Sequence, residues 1–107
     1  GVMARPVEDG TVENVYRLQL MNATGAPLQG RLAVRDRLGG TLLVDPVDTV
    51  ALAAADTGAM VVRVRLPAER ALAEAGHTLP VDFIIEVAQA DGRRRSVRES
   101  STFIVPR

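Results

Sequence analysis

An all-β chain folded as an antiparallel sandwich of about seven strands, with one short helical crossover, is the fold class this sequence predicts. Three observations predict it. Apolar and polar residues alternate at period two in one stretch after another, the pattern of strands with a single buried face. Turn signals built on Gly, Pro, Asn and Asp separate these stretches at intervals of about eight to twelve residues, as in sandwiches of short strands. The chain has 107 residues, room for one domain with a single core, so residues 1–107 form one unit.

Each element follows from its local pattern. Val2 to Val7 forms a short first strand, and Pro6, which lacks a backbone donor, places it at an edge or in a lead-in. Asp9-Gly10 turns the chain into a long second strand from Thr11 to Asn22. There Val12, Asn14, Tyr16, Leu18 and Leu20 share one face, while Glu13, Arg17 and Gln19 point outward with Val15 and Met21. After the Pro27 turn, Leu28, Gly30, Leu32 and Val34 alternate with Gln29, Arg31, Ala33 and Arg35 in a third strand. Leu38-Gly39-Gly40 turns again. Thr41 to Val44 and Thr49 to Ala53 are short apolar pieces on either side of Asp45-Pro46-Val47-Asp48, an edge that bends or switches sheets at the proline.

Met60, Val62, Val64 and Leu66 form the buried face of a further strand that Pro67 ends. Ala68 to Ala75 contains good helix formers between a proline and a glycine, which gives one or two helical turns crossing between sheets. Val81 to Ala88 is a central strand with Val81, Phe83, Ile85 and Val87 inward. Asp91-Gly92 signals a hairpin. Arg94 to Val105 returns with Val97, Phe103 and Val105 on the apolar side. The only aromatics are Tyr16, Phe83 and Phe103, so Val and Leu build most of the core. With no Trp and no Cys the chain lacks the marks of an antibody domain, and an immunoglobulin-like or fibronectin-like sandwich remains.

The stretch around the second strand is the most specific part of the chain. Its pattern Asp-Gly-x-x-x-Asn-x-Tyr-x-Leu-x-x-x-Asn, made by Asp9, Gly10, Asn14, Tyr16, Leu18 and Asn22, resembles the start of the immunoglobulin-like domain at the C-terminus of FixG/CcoG proteins, the cytochrome c oxidase accessory family. The resemblance continues more loosely through the Pro27 turn, Arg31 to Asp36, Gly39-Gly40 and Met60 to Leu66. It implies that this chain is the C-terminal part of a larger bacterial inner-membrane protein. That parent would carry transmembrane helices and iron-sulfur clusters elsewhere, and would act in assembling a cbb-type oxidase and in handling its copper. This domain would lie on the periplasmic side, tethered through the parent chain. Its partners would be oxidase subunits or a copper chaperone, and it would hold no cofactor itself. The competing class is a generic extracytoplasmic adhesion or ligand-binding sandwich.

Composition independently excludes several functions. Thirteen basic residues balance 13 acidic ones, so no global field draws nucleic acid or an anionic membrane. All the basic residues are Arg, which together with abundant Ala and Val reflects a GC-rich bacterial coding bias. Absence of Cys removes disulfides, thiolate metal sites, iron-sulfur ligation and a Cys nucleophile from this chain. No apolar run approaches the roughly 20 residues that span a bilayer.

Individual residues have plain readings beside functional ones. Asn14 is expected to satisfy backbone groups of the Asp9-Gly10 turn, and Tyr16 to bury its ring with its hydroxyl bonded near the rim. His77, the single histidine, would need Met3, Met21 and Met60 as companions to bind cuprous copper, yet these methionines fall in different strands. Asp45, Asp48 and Asp56 match no calcium loop and read as turn residues. Asp82, Glu86 and Glu99 suggest no acid-base pair. Ser96, Ser100 and Ser101 lack the elbow of a nucleophile, and Asn22-Ala23-Thr24, a glycosylation sequon, reads as a turn. Arg93, Arg94, Arg95 and Arg98 form the one concentrated charge. They would contact an acidic partner or lipid headgroups, or simply keep a hairpin soluble and guard an edge strand. The chain is therefore expected to be non-catalytic.

Overall fold

The computed structural model describes residues 3–7, 9–37, 40–45, 49–88 and 91–107. They form eight antiparallel strands and one helix: β1 (Met3–Pro6), β2 (Val12–Met21), β3 (Leu28–Asp36), β4 (Thr41–Asp45), β5 (Thr49–Leu52), β6 (Thr57–Leu66), α1 (Ala68–Ala73), β7 (Thr78–Ala88) and β8 (Arg94–Ile104). The hydrogen-bonded order is β1-β2-β6-β4-β3-β7-β8, with β5 pairing β3 beside β4. This single path curls on itself, so that the β1-β2-β6 layer covers the β3-β7-β8 layer. Tyr16 of β2 meets Phe83 of β7 edge to face, ring centres 4.9 Å apart, although the two strands are far apart in the order.

The change of layer takes place inside β4. Leu42 pairs with Val34 of β3, whereas Leu43, Val44 and Asp45 pair with Arg65, Val64 and Arg63 of β6. β5 then rejoins β3 through Leu28↔Leu52 to Arg31↔Thr49. The expected sheet switch therefore occurs upstream of Pro46, which itself lies, with Val47 and Asp48, outside the described residues. Val2, Leu38 and Gly39 lie outside them too.

Two strands start earlier than sequence alone suggests. β6 begins at Thr57 because its ladder with β2 runs on to Met21↔Thr57. β7 begins at Thr78 in spite of Pro80, whose missing N–H faces the β3 side, and β3 has already ended at Asp36↔Val81. Between β6 and β7, Pro67 opens α1, where only Ala71 is buried. Arg70 of α1 meets the buried Asp36 carboxylate at 2.6 Å, which ties the helix to the end of β3.

The core contains Val12, Tyr16, Leu32, Val34, Leu42, Val62, Val64, Leu66, Val81, Phe83, Phe103 and Val105. Phe103 and Val105 bear out the inward face of β8. Val97 does not, being 47 % exposed. Residues 94–100 of β8 are all exposed.

Glu13 is the larger departure. Its parity points it outward as expected, but it is 0 % exposed. Arg5 of β1 and Arg65 of β6 stand directly across from it in register, and their guanidinium groups reach its two oxygens at 3.0 Å each, with Arg63 at 3.9 Å. Arginine side chains thus roof a carboxylate that the pleat directs to solvent. Burial alone would raise the Glu13 carboxyl, and the hydrogen bonds and charges of Arg65 and Arg5 outweigh it, so the group lies below the usual glutamate range. A carboxylate lowered in this way contributes stability that is full above its unfolded value and lost as the pH falls. Because the arginines are half exposed, Glu13→Gln should cost only about 1–2 kcal/mol at neutral pH. Urea unfolding at pH 7 and near pH 3 should show that difference shrinking in acid.

Candidate interaction surface

The six motif residues run along β2 from one end of the sandwich to the other, each with a defined environment. The Thr11 side chain and then the Thr11 N–H, which donates to Asp9 at 3.0 Å, hold the Asp9 carboxyl below its ordinary value. Gly10 follows at φ 83°, a left-handed conformation that glycine adopts freely. Asn14 does not serve this turn. Its amide instead reaches across the sandwich to β8, where Nδ2 donates to the Ile104 carbonyl at 2.8 Å and Oδ1 accepts from the Ile104 N–H at 2.7 Å. Tyr16 adds a bond from its hydroxyl to the Thr102 carbonyl at 2.7 Å. Leu18 packs, half buried, against the core.

Asn22 clamps the far end. Its Nδ2 donates to the carbonyls of Ala26 and Ala53 at 2.8 and 2.9 Å, and its Oδ1 accepts from the Thr24 N–H at 3.0 Å and the Thr24 hydroxyl at 2.7 Å. One buried side chain therefore fastens the β2–β3 connection to the β5–β6 connection. This is how Asn22-Ala23-Thr24 acts as a turn.

Beside that clamp the layers diverge and leave an open apolar groove of about 660 Å³, with Leu20, Leu28, Leu52, Ile85, Val87 and Val97 among its walls and Asp91 and Arg95 at its rim. Alternation along the strands gave no sign of it, because the same period-two pattern describes a face whether or not the opposite layer reaches it.

The arginine cluster does not form one patch. Arg94 and Arg98 lie on the outer face of β8, where they meet Glu86 at 3.9 Å and Asp82 at 3.8 Å. Arg93 sits at the hairpin turn beside Asp91 at 3.6 Å. Arg95 has the opposite parity and borders the groove. Asp82 also accepts from the Ser100 hydroxyl at 3.0 Å, so its carboxylate is shared between Ser100 and Arg98 on this sheet face.

The described candidate metal ligands lie on separate elements. His77 is exposed and its Nδ1 lies 3.5 Å from Glu74. Met21 is exposed on the outer face of β2, whereas Met60, opposite Leu18 in β6, packs against the core. Asp56 bonds the neighbouring Thr57 N–H. Among the described residues no group of three or more His, Cys, Asp or Glu side chains could hold a metal ion.

Two measurements test the cross-layer bonds. Tyr16→Phe should cost about 1 kcal/mol, and Asn14→Ala, which strips both Ile104 backbone groups of their partner, about 2–3 kcal/mol by urea denaturation. Burial pushes the Tyr16 phenol well above its ordinary value. Its contribution is full below the unfolded tyrosine value of about 10 and lost as the pH rises further. As Tyr16 is the only tyrosine, phenolate absorbance should appear above about pH 10 only together with unfolding.

Comparison with known proteins now places the chain. The family model described as "IG-like fold at C-terminal of FixG, putative oxidoreductase" matches residues 1–106. A crystal structure of a protein from Archaeoglobus fulgidus superposes with a TM-score of 0.53 at 14% identity, covering 96% of this chain and 92% of that one, and shares its fold. No curated protein matches the chain. With Asp9, Gly10, Asn14, Tyr16, Leu18 and Asn22 in place and the match running from end to end, the chain belongs to the family of immunoglobulin-like domains found at the C-terminus of FixG.

Proposed function

We propose that this domain is a non-catalytic interaction module on the periplasmic side of a FixG/CcoG-type iron-sulfur membrane protein, which assists assembly of a cbb-type cytochrome c oxidase and the handling of its copper. The family match over residues 1–106 is the observation that carries the reading. The residue inventory supports it, because a chain without Cys leaves cluster ligation to the rest of the parent protein. What this domain supplies is surface. Its partner is a protein, an oxidase subunit or a copper chaperone, that meets the apolar groove and the arginines near it.

A sugar-binding role is disfavoured. Such modules stack sugar rings on exposed aromatics, and here Tyr16, Phe83 and Phe103 are all buried. A nucleic-acid role is disfavoured by the balanced charge.

The test is to delete residues 1–107 from the parent protein in its bacterial host, leaving the membrane portion intact. Oxidase assembly, followed as haem-stained complex in isolated membranes, should fall while the parent keeps its iron-sulfur absorbance. Normal oxidase levels at normal copper supply and under copper limitation would refute an assembly role for this domain.

A further inference from the structure

β8 is the last strand of its layer, and part of its free edge is already used. Ile104 exchanges both backbone groups with Asn14, and the Thr102 carbonyl is taken by Tyr16. Even-numbered residues of β8 therefore point their backbone groups away from β7. Continuing that parity, Ser96, Arg98 and Ser100 direct an N–H and a C=O outward. Among the described residues no backbone group other than those of β7 bonds this stretch, and residues 94–100 are all exposed. An open edge of this kind is a template for one more strand.

Side chains on the groove side of the edge are Arg95, Val97 and Glu99. Unlike Arg94 and Arg98, neither Arg95 nor Glu99 has an ion-pair partner among the described residues. They cannot reach each other, because four residues along a strand separate them by about 13 Å. A twofold axis through Val97 resolves this. An antiparallel copy of β8 so placed sets Arg95 opposite the partner's Glu99, Val97 opposite the partner's Val97, and Glu99 opposite the partner's Arg95. These are non-hydrogen-bonded positions, where side chains approach most closely. The outward backbone groups of Ser96 then meet those of the partner's Arg98, as the ladder requires.

The neighbouring registers fail on charge or on access. An axis through Arg98 stacks that arginine on its own copy. An axis through Ser96 sets Arg94 against the partner's Arg98 twice. An axis through Glu99 requires Thr102, whose carbonyl Tyr16 holds. We infer that a second copy of this chain pairs with the free edge of β8, antiparallel and centred on Val97, to form a twofold dimer with a sheet continuous across both subunits. The contact is isologous, so each Arg95–Glu99 pair occurs twice. It is independent of the accessory role proposed above.

Sedimentation velocity of the 107-residue chain over a wide concentration range is the test. The interface is small, and a dissociation constant in the range of about 10–1000 µM is expected. Glu99→Arg alone, and Arg95→Glu alone, each place like charges at both ends and should weaken the dimer about tenfold or more. The double variant R95E/E99R should restore it, and mixing the two single variants should give a heterodimer. All these positions are exposed, so thermal melting should be unchanged at concentrations where the chain is monomeric. A chain that stays monomeric throughout overturns the inference, as does a dimer indifferent to the single reversals or not recovered in the double.

Discussion

The structure depends on a small set of hydrogen bonds between strands that never pair. Asn14 and Tyr16 leave β2, cross the end of the sandwich and satisfy the backbone of Ile104 and Thr102 on the free edge of β8. A side-chain amide has one donor and one acceptor in the spacing of a peptide group, so Asn14 takes the place of a neighbouring strand for one residue of β8. Hydrophobic burial holds the layers together without direction. These bonds supply direction, because they can be made only when one end of β2 lies over one end of β8. They also place Tyr16 over Phe83, so polar registration and aromatic packing depend on the same strand position.

Much of this was legible in the residues. The parity of β2 placed Asn14 and Tyr16 inward, and a buried amide among Leu and Val must find partners. Which partners it finds is a long-range fact. The reading that Asn14 serves its own turn failed because Asp9 already accepts from Thr11 there, and because periodicity reports the face of a strand and not what lies opposite it. Glu13 shows the same limit from the other side. Its outward parity was legible, but its burial was not, since that depends on Arg5 and Arg65 arriving in register from strands on either side. The arginine row was visible in the sequence only as separate residues, with Arg5 in the first strand and Arg63 and Arg65 in the sixth.

Val97 and the groove were missed for a related reason. A strand pattern assumes a facing layer along its whole length. Here the layers diverge, so Leu20, Val87 and Val97 line an open groove when their parity alone would put them in a closed core. The motif residues mark the boundary. Asn14 and Tyr16 close the sandwich at one end, Asn22 ties the loops at the other, and the open part lies between them.

That boundary also bears on how the domain tolerates a strand edge that no other described residue pairs. Charged residues on an edge strand ordinarily discourage pairing, and a run of arginines should do so strongly. On β8 the signs are not uniform. The groove face alternates arginine, valine and glutamate, while the outer face carries arginines already satisfied by Asp82 and Glu86. Such an arrangement rejects most registers by repulsion and favours one by attraction, so the same charges that prevent indiscriminate strand addition select a single geometry. Side chains from β2 then set where that geometry must stop, because a pairing strand that ran past Ser100 would have to displace the Tyr16 hydroxyl and the Asn14 amide from bonds that hold the layers in place.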